Sequence, residues 1–470
     1  MKTMLEKLII NKDASVKEAI RAIMENGCGC VFLTDENGSF VSVITDGDIR
    51  KAILSGKQIA DNARTISNKD PLFVRDDMSE EDALALLRKK KNIKHKVQHG
   101  GTLKVPVVDG SGKIVNVLFV SLKEDDQHII ECDIKNTEET KKLTGVKSVL
   151  ITGGAGYLGS ILCRKLLDKN YKVRVLDNLM YGDESIRELY GDPDFELIKG
   201  DIRNLQTVVE AIKGVDAAVH LAAIVGDPAT TRFPQEAIDV NYLATKVMAE
   251  ACKYYQVNRF IFASTCSVYG ESIKDGEKLT TSSRTNPVSL YAKNKLESEK
   301  AILSMADGNF FPIVLRMATL YGLSPRMRFD LVVNQLTAEA VVRKKINIFG
   351  GKQWRPFLHV SDAAGAYIKC LELPYGNSKS RILNIGTDDQ NYRIDDVGKL
   401  IKDLVPDTEV NILEKNIDIR NYKVLFNDSV SILGFNADMK VSDGISEIRD
   451  SMEGGSYSDY KDPKYSNVSK

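Results

Sequence analysis

The stretch 149–167, VLITGGAGYLGSILCRKLL, limits the possible folds more than any other part of the chain. An apolar run ends at Thr152, glycines follow at 153, 154, 156 and 159, and apolar residues then recur at helical spacing. That is a strand, a glycine-rich turn and an amphipathic helix. Glycines let the backbone turn tightly and come close to a pyrophosphate. The helix then offers free N–H groups and the positive end of its dipole.

A second strand, KVRVLD (172–177), ends in Asp177. An acid at that strand end accepts hydrogen bonds from both hydroxyls of an adenosine ribose and repels a 2′-phosphate. The following DNLMYG has no Arg or Lys to offset that repulsion, so NAD is preferred over NADP. Further apolar strands alternate with helical patterns: FELIKGD (195–201), AAVHLAA (217–223), RFIFAST (259–265) and FPIVLRMA (311–318). Near-continuous apolar strands separated by helices predict an α/β fold with a Rossmann-type, doubly wound parallel sheet over 147–470, with a smaller C-terminal substrate lobe.

At 470 residues the chain is too long for one ordinary core. Lys and Arg total 65 and so do Asp and Glu, so the net charge gives no pull toward nucleic acid or an anionic membrane. One basic run, RKKKNIKHK at 88–96, reads as a solvated helix end and loop. Seven scattered cysteines fit a reducing cytoplasm better than a disulfide framework. Cys28 and Cys30 lack a second pair at ligand spacing, so no metal site is expected. The N-terminal segment carries charges and no cleavage site, and no run approaches the ~20 apolar residues of a membrane span.

The first part of the chain repeats itself. DASVKEAI (13–20) recurs as DMSEEDAL (77–84), each a capping box: Ser15 with Glu18, Ser79 with Asp82. Each copy continues into a strand-turn-strand pattern, turning at Asn37-Gly38 and at 110–112. This repeat resembles a tandem pair of cystathionine-β-synthase-type (CBS) domains, an α+β module over 1–125. In ITDGDIRKAI (44–53), the resemblance implies that Thr45 meets a phosphate and Asp48 the ribose of an adenosine nucleotide. The second copy is degenerate there, so at most one such site is implied; a ligand-free dimerising module is the alternative. Residues 126–146 are polar, lack sustained periodicity and read as a linker.

The spacing Thr152-Gly153-x-x-Gly156-x-x-Gly159 resembles the extended short-chain dehydrogenase/reductases, the NAD-dependent nucleotide-sugar epimerases and dehydratases. The resemblance implies NAD contacts from Gly153, Gly156, Tyr157, Leu158, Gly159, Asp177 and Asn178. It adds Asp201 and Ile202 of KGDIRN, Ala222 and Ala223 of HLAA, and Lys295. Asn241 of VNYLATK is implied to brace the active-site backbone.

LYAKNKLESEKAIL (290–303) reads as a helix with Tyr291 and Lys295 four apart on one face. A nearby ammonium is expected to lower the phenol pKa and make Tyr291 a general base. The resemblance gives Thr265, in STCSVYG, the hydroxyl that hydrogen-bonds the reacting oxygen. For substrate it implies Arg355 and Arg420 on the diphosphate of a nucleotide sugar, with Arg326, Arg328, Asn334 and Thr319 nearby. Thr319 stands where many relatives have Asn, so the sugar pocket is expected to differ from the UDP-galactose case.

Dehydratase relatives place acidic residues directly after the Thr, where this chain has Cys266 and Ser267. An epimerase acting through transient oxidation at sugar C4 is therefore expected, ahead of a 4,6-dehydratase or 4-dehydrogenase. A nucleotide-sensing protein without turnover is the non-enzyme alternative. Both resemblances imply a homodimer or higher homo-oligomer. SPRMRFDLVVN (324–334) resembles a subgroup acting on nucleotide-linked hexoses, deoxysugars or heptoses destined for surface polysaccharide.

Overall fold

β1 (Ser148–Thr152), β2 (Lys172–Asp177), β3 (Phe195–Lys199), β4 (Ala217–His220), β5 (Arg259–Thr265), β6 (Phe311–Met317) and β7 (Arg381–Ile385) form one sheet in the computed structural model. The order is β3-β2-β1-β4-β5-β6-β7 and every neighbouring pair is parallel. The structure describes residues 4–26, 29–79, 82–83, 86, 103–122, 127–132, 146–271, 277–307, 310–373, 381–415 and 418–467. The chain divides into two compact units, Met1–Gly145 with Leu373–Ser378, and Val146–Glu372 with Lys379–Lys470.

In the larger unit the sheet is Rossmann-like, with the first six strands at the expected positions. β7 is additional to the strands read from sequence and extends the parallel sheet beyond β6. The strands are apolar because helices cover both faces: α1 (Gly159–Leu167), α2 (Thr245–Tyr254), α3 (Leu290–Ser304) and α4 (Val360–Leu371). Met248, Ala249 and Cys252 of α2 pack on Phe260 and Phe262 of β5. His220 on β4 is fully buried, with Nδ1 2.7 Å from Thr152 Oγ1 and Nε2 2.9 Å from Thr245 Oγ1. Burial, reinforced by the Lys295 charge, pushes its imidazole pKa down to about 3, so it joins β1, β4 and α2 as a neutral residue.

The order in which strands are added reverses between β1 and β4, which opens a crevice beyond the carboxyl ends of the strands. A smaller lobe stands over it. There Lys345–Phe349 pairs with Glu409–Leu413, and Trp354–His359 lies between Thr319–Tyr321 and Asn391–Arg393. Its core includes Tyr321, Leu336, Ile346, Phe357, Val397, Ile401 and Ile445.

The N-terminal unit shows the repeat in its hydrogen-bond pattern. Ile9–Asn11 runs parallel to Cys30–Thr34, which is antiparallel to Phe40–Thr45. Val74–Arg75 runs parallel to Leu103–Val108, which is antiparallel to Ile114–Leu122. Leu8, Cys30 and Phe32 from one copy pack with Val108, Ile114 and Val117 from the other. The first capping box forms in full: Ser15 N–H donates to Glu18 Oε2 (2.8 Å) and Glu18 N–H to Ser15 Oγ (3.3 Å). At the second, Asp82 N–H donates to Ser79 Oγ (3.2 Å) and Ser79 Oγ to Asp82 Oδ2 (2.7 Å).

One expectation is corrected. Gln127–Cys132, read as the start of a linker, is a strand antiparallel to Ile114–Leu122. QHIIEC has neither a sustained apolar run nor strict alternation, and backbone pairing along a neighbouring strand decides its structure. The run at 88–96 and Cys28 lie outside the described residues. Among the described residues, no helix is long and apolar enough to cross a membrane, and no group of three His, Cys, Asp or Glu is placed to hold a metal.

Candidate active site

A cleft of about 650 Å3 runs along the carboxyl ends of the sheet and beneath the smaller lobe. Its floor is the glycine loop. Gly153 has φ +79°, and a Cβ there would lie 2.8 Å from the backbone N of Ala222. A Cβ on Gly159 would lie 2.2 Å from the Gly153 carbonyl oxygen. The loop is thus packed as tightly as backbone allows, and no side chain caps the N-terminus of α1. Asp177 accepts from the N–H groups of Ala155 (3.0 Å) and Leu179 (2.8 Å), and burial raises its pKa. Asn178 Oδ1 accepts from Met180 N–H at 3.0 Å. Asp201 is held by Arg203, whose Nη2 lies 2.7 Å away and whose hydrogen bonds lower the Asp201 pKa. These four elements, with Tyr157, Leu158, Ile202, Ala222 and Ala223, line the same end of one cleft. A glycine cradle, an uncapped helix start and a carboxylate at the second strand end fit an adenine dinucleotide.

Thr265 ends β5 and caps the turn Cys266–Tyr269; its Oγ1 accepts from Ser267 N–H at 3.1 Å, which leaves its hydrogen for donation into the cleft. Tyr291 and Lys295 reach the same space from α3. Lys295 is 2% exposed, donates to the Ala263 carbonyl oxygen (2.8 Å), and its Nζ lies 4.7 Å from the Phe262 ring centre and 6.0 Å from that of Tyr291. The expected lowering of the phenol is reversed among the protein's own groups. Burial raises the Tyr291 pKa, Arg328 opposes the rise, and Asp227 adds to it. Burial also lowers Lys295 to about 7, so the ammonium is only partly charged at neutral pH. The spacing of the pair was legible in sequence, but their desolvation was not.

A buried polar scaffold fixes this end of β5. The Glu299–Arg316 ion pair, 2.7 Å apart and almost wholly buried, takes the Ser264 hydroxyl on one side and Tyr269 on the other. Asn241 donates to the Ile224 carbonyl oxygen and accepts its N–H, both at 2.8 Å, bracing the strand exit after β4.

Arg355 and Arg420 do meet in the cleft, yet neither is unpaired. Arg355 lies 2.9 Å from Asp418, and Arg420 binds both Asp418 and Asp227, the latter at 2.8 Å. Asp418 is half-buried, which would raise its pKa, but the Arg420 hydrogen bonds and the Arg355 charge bring it down to about 2. Two cations and two carboxylates balance. Asp227 and Asp418 were not foreseen; Asp418 stands two residues before Arg420, a spacing that could have suggested it. Thr319 lines the cleft from the lobe.

The SPRMRFD segment departs most from expectation. Asn334 does not reach the cleft. It is fully buried, accepts from Gly322 N–H (2.9 Å) and donates to the Arg328 carbonyl oxygen (2.9 Å) and the Tyr157 hydroxyl (3.2 Å). All its capacity is used to tie this segment to the glycine loop. Arg328 pairs with Asp330, and Arg326 lies over the Tyr181 ring, 4.0 Å from its centre. In the N-terminal unit, Thr45 and Asp48 bind each other. Asp48 Oδ2 accepts from Thr45 N–H (2.9 Å) and Oγ1 (2.7 Å), and Asp48 N–H donates to Thr45 Oγ1 (3.3 Å), a capping box like that at Ser15.

The description "NAD dependent epimerase/dehydratase family" matches residues 149–386, and "CBS domain" matches 3–55 and 63–120. The uncharacterized UDP-glucose epimerase YtcB of Bacillus subtilis (strain 168) is 34% identical over 238 residues, 48% of this chain and 73% of that protein. The dTDP-D-glucose 4,6-dehydratase of Dictyostelium discoideum is 30% identical over 275 residues, 54% of this chain and 62% of that protein. The solved structure of MoeE5 in complex with UDP-glucose and NAD superposes with a TM-score of 0.57 at 27% identity, covering 66% of this chain and 99% of that one. With its glycine cradle, strand-end carboxylate and Thr-Tyr-Lys trio in one cleft, the chain belongs to the NAD dependent epimerase/dehydratase family, and a CBS pair precedes that domain.

Proposed function

We propose that the chain is an epimerase that inverts one carbon, C4, of a sugar carried on a nucleoside diphosphate. One observation carries this reading: neither residue after Thr265 supplies an acid or base. The Cys266 thiol is buried, faces the Arg316 carbonyl oxygen at 3.2 Å, and has its pKa pushed up by burial. Ser267 Oγ pairs with the Tyr422 hydroxyl at 3.2 Å. Elimination needs such a group, whereas epimerisation needs only oxidation and re-reduction at one carbon.

The chemistry NAD supplies when bound is hydride uptake and return, with a positive ring charge that favours a phenolate. Gly153, Gly156, Gly159, Asp177, Asp201 and Lys295 are the residues that would hold it. In this reading Tyr291 takes the proton of the substrate hydroxyl and later gives it back, while Thr265 donates a hydrogen bond to the same oxygen. Arg355 and Arg420 receive the diphosphate, which competes there with Asp227 and Asp418 for the guanidinium groups. The relative solved with UDP-glucose supports this class of substrate.

A second reading, a 4,6-dehydratase, has one observation in its favour. Asp227 lines the cleft, its charge is felt at Tyr291, and its Oδ1 is buried without a hydrogen-bond partner. The test is incubation of the full chain with NAD and UDP-, GDP-, CDP- and dTDP-hexoses in deuterated water, read by NMR. Inverted C4 without deuterium supports the epimerase. Deuterium at C5 with loss of the C6 hydroxyl overturns it in favour of the dehydratase.

The CBS pair is read as a regulatory module for an adenosine nucleotide at Thr45 and Asp48. ATP and AMP are expected to raise the melting temperature or change the rate; no effect from either sinks that reading. Self-association belongs to the same reading and is measured by light scattering.

A further inference from the structure

Five arginines line the cleft: Arg203, Arg326, Arg328, Arg355 and Arg420. Four have carboxylate partners: Asp201, Asp330, Asp418, and Asp418 with Asp227. Arg326 has none within 4 Å among the described residues. It is nevertheless 6% exposed, and its Nε is buried with no hydrogen-bond partner. The one hydrogen bond of its guanidinium there is a long one, 3.5 Å from Nη2 to the Ser466 carbonyl oxygen. Burial, followed by the like charge of Arg328, lowers its pKa to about 10, so the group stays cationic at neutral pH. A desolvated cation with no carboxylate in contact is costly, and a built site that keeps one suits an anion supplied from outside the chain.

Position identifies that anion. The segment bearing Arg326 is tied to the glycine loop. Tyr157 hydroxyl donates to the Gly322 carbonyl oxygen (2.6 Å), and Ser324 Oγ donates to the Tyr157 carbonyl oxygen (2.7 Å). Ser324 Oγ also lies 3.2 Å from Ser160 Oγ, in the first turn of α1. The guanidinium itself stacks on Tyr181, four residues beyond Asp177, and shares an electrostatic interaction with that carboxylate. It therefore sits at the cofactor end of the cleft. We propose that Arg326, held over the Tyr181 ring, is a cofactor-binding residue that donates to the pyrophosphate oxygens of the adenine dinucleotide, and is not a substrate contact. A planar guanidinium stacked on an aromatic ring keeps its N–H edge free for phosphate.

This inference rests on the chain's use of NAD and not on which reaction follows. The test is direct binding to the full-length chain of NADH and NADPH, by fluorescence, and of UDP, by calorimetry. It compares wild type, Arg326→Gln and Arg326→Lys, with melting curves to confirm folding. The expected result is a Kd for NADH raised about tenfold or more by Gln and less by Lys, with UDP affinity unchanged. Unchanged NADH affinity in the folded Gln variant overturns the proposal. So does a loss confined to UDP, which would return Arg326 to the substrate, or a loss confined to NADPH, which would place it on a 2′-phosphate. A wild-type chain that binds no NADH overturns the functional reading and this inference together.

Discussion

At the scale of single residues, desolvation governs the chemistry. Tyr291 and Lys295 were paired by their spacing, but both are held in an environment that penalises charge. Replacing Tyr291 with Phe removes the proposed proton carrier and is expected to lower turnover about 100-fold or more, with NADH binding preserved. Product formation under saturating substrate checks this; equal rates would remove Tyr291 from the mechanism. Lys295 makes a separate prediction for stability. Its folded pKa of about 7 lies below the ordinary lysine value, so between the two the unfolded chain binds more protons. Its contribution to stability therefore rises as pH climbs from about 7 toward 10, and is least at and below 7. Urea titrations of wild type and Lys295→Met across that range should show the wild type gaining on the variant with pH.

At the scale of elements, β5, β6 and α3 are locked by Glu299 and Arg316 beneath the strand end that carries Thr265. Arg316→Met leaves Glu299 buried and unpaired, an expected cost of about 3–5 kcal/mol. Combining it with Glu299→Leu should recover much of that loss, because no charge is then left behind. Denaturant midpoints of the two singles and the double decide, and additive losses would contradict the coupling. The glycine loop is the other rigid element. Gly159→Ala pushes a methyl against the Gly153 carbonyl oxygen, so the loop must shift. A stability loss of at least about 1 kcal/mol is expected. Weakened NADH binding should accompany it, and an alanine variant with wild-type affinity would show that the cradle accommodates a methyl group there.

At the scale of the whole molecule, two units carry separate cores. Calorimetry of the full chain is expected to show two heat-absorption steps rather than one. NADH at about 100 times its Kd should stabilise one of them by about 2.7 kcal/mol and leave the other in place. A single step that moves as a whole with NADH would mean that the units unfold as one.

The sequence by itself determined the class of fold and most of the cofactor end. Glycine spacing, apolar strands and Asp177 are local patterns, and local patterns survive in one dimension. It also marked Tyr291 and Lys295, because four-residue spacing defines a helix face, while the family resemblance supplied Thr265. What the tertiary structure decided is whatever depends on residues far apart in the chain. Asp227 and Asp418 neutralise the arginine pair, Asn334 is consumed inside the protein, and Arg326 stands beside the cofactor loop although its sequence neighbours suggested substrate. Charge balance and desolvation arise from the company a side chain keeps in space, and that company is assembled only when the chain folds.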